Sequence, residues 1–150
     1  MSRKNHWEQV YSGKPSDRLG WYKPRLQTSL EWITALGPDR SASIIDVGGG
    51  ASTLIDDLLD AGYSAITVLD IAEPALDLLK ARLGDKGAGV TWLCGDITGI
   101  DLPENAFELW HDRAVFHFLT EAADRKRYRQ NLCRALRPGG HLVIGTFAPE

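Results

Sequence analysis

Apolar positions along the chain alternate between two periods. Leu26, Leu30, Ile33 and Leu36 recur at helical spacing, with Pro24 suited to a first turn and Gly37-Pro38 ending the segment. Ser43 to Val47 is a short apolar run that meets Gly48, Gly49 and Gly50. Leu54, Ile55, Leu58 and Leu59 make a second helical stripe, closed by Gly62. Ala65 to Leu69 reads as a strand, Pro74 to Leu83 as a helix, Val90 to Leu93 as a third strand and Phe107 to His111 as a fourth. Glu121 to Leu136 reads as a long charged helix with Thr120 as its N-cap. Pro138, Gly139 and Gly140 break the chain before a fifth strand, His141 to Phe147.

Strands alternating with helices predict an α/β fold with a parallel sheet covered on both faces. The near-continuous apolar strands agree with burial on both sides. Residues 1–150 read as one domain, with a polar, aromatic-rich leader over 1–23 and the core over 24–150. In such sheets ligands bind beyond the carboxyl ends of the strands, so the residues just after each strand carry the functional information.

Composition narrows the class. The chain has 150 residues, 43% hydrophobic and 25% charged, enough for a soluble domain with a real core. A net charge of −3 argues against a general nucleic-acid or membrane-surface binder. No apolar run approaches the ~20 residues that span a bilayer, and Met1 to His6 carries no apolar signal region. Cys94 and Cys133 lack metal-ligand spacing and read as reduced, partly buried thiols. A cytoplasmic protein without a metal site is expected.

The strand ends carry acids and glycines. The first strand ends in Asp46-Val47-Gly48-Gly49-Gly50, where glycines permit a tight turn and close approach of a ligand. Asp70 ends the second, about 20 residues further on, a spacing at which an acid accepts hydrogen bonds from ribose hydroxyls. After the third, Asp96 suits an adenine amino group and Ile97 the face of the base. Dinucleotide sites use G-x-G-x-x-G with a pyrophosphate on the helix N-terminus; here the last position is Thr53. Asp46, Asp70, Asp96 and Asp112 suit a cationic nucleoside better than a pyrophosphate. That favours S-adenosyl-L-methionine (SAM) over NAD and leaves an NAD-dependent oxidoreductase as the disfavoured alternative.

The motifs resemble, in order, those of the class I SAM-dependent methyltransferases. Ile45 to Ser52 is similar to the first motif, Val68 to Ile71 to the second, Gly95 to Ile97 to the third and Phe107 to Arg113 to the fourth. Leu136 to Ile144 resembles the segment leading into the fifth strand. The leader, His6 to Tyr11 and Trp21-Tyr22, is similar to that of the elongation-factor and citrate-synthase lysine methyltransferases and their bacterial relatives. The resemblance implies a Rossmann-like three-layer sandwich with a mainly parallel sheet, lacking the last two strands of the seven-stranded methyltransferase fold. It implies SAM contacts by Trp7, Tyr11, Trp21, Tyr22, Asp46, Gly48, Gly50, Asp70, Ile71, Asp96, Ile97 and Asp112.

Methyl transfer needs proximity and alignment above all. Asp112 is the first choice for a catalytic residue, then His111, with His117 close by in sequence. Trp21 and Tyr22 suit a cationic amine by cation–π attraction. Arg125 to Arg129 reads as a solvated helix face. The acceptor is expected to be a small molecule or a protein side chain. An uncovered fifth strand invites pairing with a second copy, and a non-catalytic SAM-binding fragment that self-associates is the alternative function.

Overall fold

The computed structural model describes residues 2–13, 27–113 and 115–146. Helices α1 (Arg3–Gly13) and α2 (Gln27–Leu36) precede strand β1 (Ser43–Val47). Then follow α3 (Leu54–Asp60), β2 (Ala65–Asp70), α4 (Glu73–Leu83), β3 (Thr91–Cys94), β4 (Phe107–Arg113), α5 (Ala122–Ala135) and β5 (Leu136–Gly145). Short 3₁₀ turns lie at Gly49–Ala51, Gly84–Gly87 and Phe116–Phe118.

The five strands form one parallel sheet in the order β3-β2-β1-β4-β5. The chain runs outward from β1 to β3, then crosses back to β4, so the order reverses between β1 and β4. Strand alternation sends successive side chains to opposite faces. Ile44, Ile66, Val68 and Leu109 pack with Ile33 of α2, Leu54 and Leu58 of α3, and Leu76 and Leu79 of α4. Ile45, Val47, Leu69 and Trp110 pack on the other face with Tyr128 and Ala135 of α5. Two apolar layers around one sheet give the three-layer sandwich of the expected fold class.

Several boundaries differ from the sequence reading. Pro138-Gly139-Gly140 does not precede the last strand; it lies inside β5. Leu136 is already extended and pairs with Phe107, whereas His141 pairs with Leu109. Two steps along β4 thus face five along β5, and the extra residues form a bulge at positive-φ Gly139. Thr120 does not cap α5: the cap position is Glu121, without a side-chain cap bond. The Arg125 guanidinium instead donates to the carbonyls of Leu119 and Thr120. β4 continues two residues past His111, which puts Asp112 inside the strand. Cys94 and Cys133 are exposed, not partly buried: one ends the edge strand β3 and the other lies on the outer face of α5. Pro24 lies outside the described residues. Among those described, no helix is long and apolar enough to cross a membrane.

Candidate functional site

A cavity of about 360 Å³ opens above the carboxyl ends of β1 to β4, at the point where strand order reverses. That is the volume of a small-ligand site at the position the topology favours. Val47 and Gly48 line it from β1, Leu69, Asp70 and Ile71 from β2, and Gly95, Asp96 and Ile97 from β3. Arg113 ends β4, and Val115, Phe118 and Leu119 follow it, while Arg3, His6 and Trp7 reach the cavity from α1 and Ser2 from just before it. The Trp7 ring meets Phe118 edge-on at 5.2 Å.

The glycine turn is shaped by what lies beneath it. Gly48 has φ 74° and its N–H donates to Leu69 O at 2.7 Å. Gly50 does not line the cavity: a Cβ there would stand 2.6 Å from Asp70 Oδ2 and 2.5 Å from Ala75 Cβ. Its absent side chain therefore admits the Asp70 carboxylate, and the Gly50 N–H donates to Asp70 Oδ2 at 3.0 Å. Asp70 Oδ1 accepts the Ala72 N–H at 2.9 Å. Burial pushes the Asp70 carboxyl up to about 6, opposed by these backbone donors.

Asp96 stands differently. Its Oδ1 accepts both the N–H and the hydroxyl of Thr98, at 2.9 and 2.7 Å. Its Oδ2 takes the Arg3 guanidinium at 2.6 Å. Ile97 is buried beside it, 5% exposed.

Asp46, His111 and Asp112 are absent from the cavity lining. Asp46 and His111 are register partners on β1 and β4, so their side chains share a face. His111 Nδ1 lies 2.8 Å from Asp46 Oδ1, and Nε2 lies 2.8 Å from Ser29 Oγ on α2. In the neutral ring, Nδ1–H donates to the carboxylate and Nε2 accepts from the hydroxyl. Ser29, His111 and Asp46 thus form a buried serine–histidine–aspartate chain, and none of the three lines the cavity, so the serine is not placed there as a nucleophile. Asp46 Oδ2 has no hydrogen-bond partner among the described residues and sits under Gly49.

Asp112 points to the opposite face. It accepts the N–H groups of Val115 at 2.8 Å and Phe116 at 3.0 Å, and the Tyr128 hydroxyl. Tyr128 oxygen accepts Trp110 Nε1–H at 3.0 Å. Burial raises the Asp112 carboxyl above its ordinary range, and burial next to Asp112 raises the Tyr128 hydroxyl. Asp112 therefore holds the turn that carries Val115 and Phe118 into the cavity wall.

Of the residues singled out from sequence, the cavity brings together Trp7, Gly48, Asp70, Ile71, Asp96 and Ile97. Trp21, Tyr22 and the Tyr11 side chain lie outside the described residues. His117 is exposed and its ring meets Phe118 at 5.4 Å. Arg3, Ser29 and Tyr128 had no motif to mark them. Their roles arise from contacts 93, 82 and 16 residues away.

A model of the methyltransferase domain family matches residues 45–144. Nodulation protein S of Rhizobium tropici is 31% identical over 112 residues, covering 75% of this chain and 45% of the relative. The eEF1A lysine and N-terminal methyltransferase of Mus musculus is 24% identical over 150 residues, covering 96% of this chain and 21% of the relative. The crystal structure of an S-adenosylmethionine-dependent methyltransferase from Mesorhizobium loti superposes with a TM-score of 0.65 at 24% identity, covering 87% of this chain and 55% of that one. The chain thus spans about half or less of the length of these relatives. With its motifs, its α/β Rossmann-like sheet and a family match over two thirds of its residues, the chain belongs to the methyltransferase domain family.

Proposed function

We propose that this chain binds SAM in the cavity above β1 to β4 and transfers its methyl group to a small molecule or a protein side chain. The observation that carries the reading is the convergence of Gly48, Asp70 and Asp96, from three successive strand ends, on one cavity. The SAM-dependent fold neighbour and the protein methyltransferase among the relatives support it.

The residues fit the group. Gly48 offers bare backbone at the cavity floor, and Asp46 Oδ2 leaves an unmatched negative atom beneath the same turn. Asp70 would receive the ribose hydroxyls, Asp96 the adenine amino group, and Ile71 and Ile97 the faces of the base. Trp7, braced by Phe118, would cover the site and exclude water. When bound, SAM supplies an electrophilic methyl carbon on a sulfonium. The chain's own contribution is alignment of the reacting groups. Asp112 and His111 act in this reading as positioning residues: Asp112 fixes the Val115–Phe118 wall, and His111 ties β1 and β4 to α2.

Titration calorimetry with SAM, its demethylated product and NAD tests the reading. Binding of the first two without NAD is expected, followed by transfer of labelled methyl to a small-molecule or protein fraction. Preference for NAD, or no binding of SAM, would overturn it.

The reading includes a cytoplasmic location, checked by cell fractionation, and an acceptor other than nucleic acid, in keeping with the net charge of −3. It also includes pairing of β5 with a second copy. In the described sheet β5 is an edge, and Leu142 on it is 42% exposed. A clean monomer by light scattering would sink the pairing.

A further inference from the structure

Arg3 ties three parts of the molecule together. Its Nη1 lies 2.6 Å from Asp96 Oδ2 and 3.2 Å from Thr98 Oγ1, just after β3. Its Nη2 lies 2.6 Å from Asp124 Oδ2 on α5. One planar fork spans two carboxylates, a task that the single ammonium of lysine cannot perform in the same geometry. Asp124 stands outside the cavity; Asp96 is in its wall.

Arg3 also sets what covers the cavity. Arg3, His6 and Trp7 are spaced three and four residues apart on α1, so they share one helix face, and all three line the cavity. Anchoring Arg3 therefore brings Trp7 over the site, where its ring meets Phe118.

The donors around Asp96 define what remains for a ligand. A carboxylate offers about four lone-pair positions. Two on Oδ1 are taken by the Thr98 N–H and hydroxyl, and one on Oδ2 by Arg3. One acceptor position is left, fixed in direction by donors on both oxygens. It suits a single N–H donor, such as an exocyclic amino group. A carbonyl oxygen in that place would meet the carboxylate acceptor to acceptor.

We propose that Arg3 is a specificity-determining positioning residue: bridging Asp96 and Asp124, it orients the Asp96 carboxylate to select an amino-bearing base and holds α1 over the bound nucleoside. This rests on the reading that a nucleoside fills the cavity with its base at Asp96. The bridge makes base selection and cover one event, because the same guanidinium performs both.

Calorimetry with S-adenosylhomocysteine and S-inosylhomocysteine, which differ in amino against carbonyl at the base, tests this on the full chain. The unaltered protein is expected to prefer the adenosyl compound about 100-fold, the worth of one hydrogen bond to a charged acceptor. Arg3→Gln is expected to weaken adenosyl binding about tenfold and to narrow the preference about tenfold. Arg3→Lys is expected not to restore it. Asp124→Asn, outside the cavity, is expected to narrow the preference in the same direction by a smaller factor. Should Arg3→Gln fail to fold, as judged by its thermal transition, the Asp124→Asn ratio decides. Equal weakening of both ligands, or an unchanged ratio in the folded variants, overturns the proposal. Failure of the unaltered protein to bind the adenosyl compound sinks the underlying nucleoside reading instead.

Discussion

A Cβ on Gly48 would stand 2.0 Å from Cγ2 of Val115, so the glycine turn and the wall after β4 are fitted to each other. Gly48→Ala adds this clash to a backbone at φ 74°. The two penalties together are expected to cost about 2 to 5 kcal/mol. Adding Val115→Ala should recover the clash and leave the backbone cost. Denaturant melts of both single variants and the double variant measure the coupling; strictly additive effects would refute the fit.

Tyr128→Phe removes the hydroxyl shared by Trp110 and Asp112. It leaves the fully buried Trp110 N–H unmatched, and a loss of about 1 to 3 kcal/mol is expected. The Asp112 carboxyl, losing a donor that lowers its pKa, should move further up. Urea unfolding measures the first effect, and carboxyl titration by nuclear magnetic resonance the second.

Ligand binding should weaken as pH falls through about 6. Asp70 titrates at about 6 in the folded protein, and ribose hydroxyls donate to its ionised form. Below that pH the proton competes, with up to tenfold loss of affinity per unit. For the protein without ligand the sign is opposite. The folded pKa lies above the unfolded value of about 3.9, so this group's contribution to stability is full below about 4 and is lost as pH rises to about 6. Calorimetry with SAM and melts between pH 4 and 8 separate the two; binding that is flat across pH 5 to 7 would exclude Asp70 from the ribose role.

His111→Ala should act on the fold more than on the chemistry. It leaves Asp46 and Ser29 without their shared buried partner. A stability loss of about 2 to 4 kcal/mol is expected, with methyl transfer retained in the fraction that stays folded. Melting curves and single-turnover rates at saturating SAM distinguish this. A stable variant with its rate abolished would make His111 an acid–base group instead.

Which residues follow which strand was readable from the chain, because apolar periodicity and punctuating glycines are local. That placed Gly48, Asp70, Ile71, Asp96 and Ile97 at the correct end of the sheet. Asp46, Gly50 and Asp112 belong to the same motifs and still miss the cavity: the two aspartates turn to the sheet faces, and Gly50 packs on Asp70 and Ala75. The bulge at Pro138-Gly139-Gly140 looks like a break in the chain because the composition of a bulge and of a loop is the same.

The α/β class, the motif order and the strand-end position of the glycines and acids around the cavity were legible in the chain alone, because all of them depend on neighbours within a few residues. Register decided the rest. Pairing of Asp46 with His111 puts both on the α2 side, and Asp112 one step further faces Tyr128 of α5. Arg3 gained its role only when α1 came to rest against residues 93 and 121 positions away. Such contacts are fixed by how the layers close on the sheet, and no local pattern encodes them.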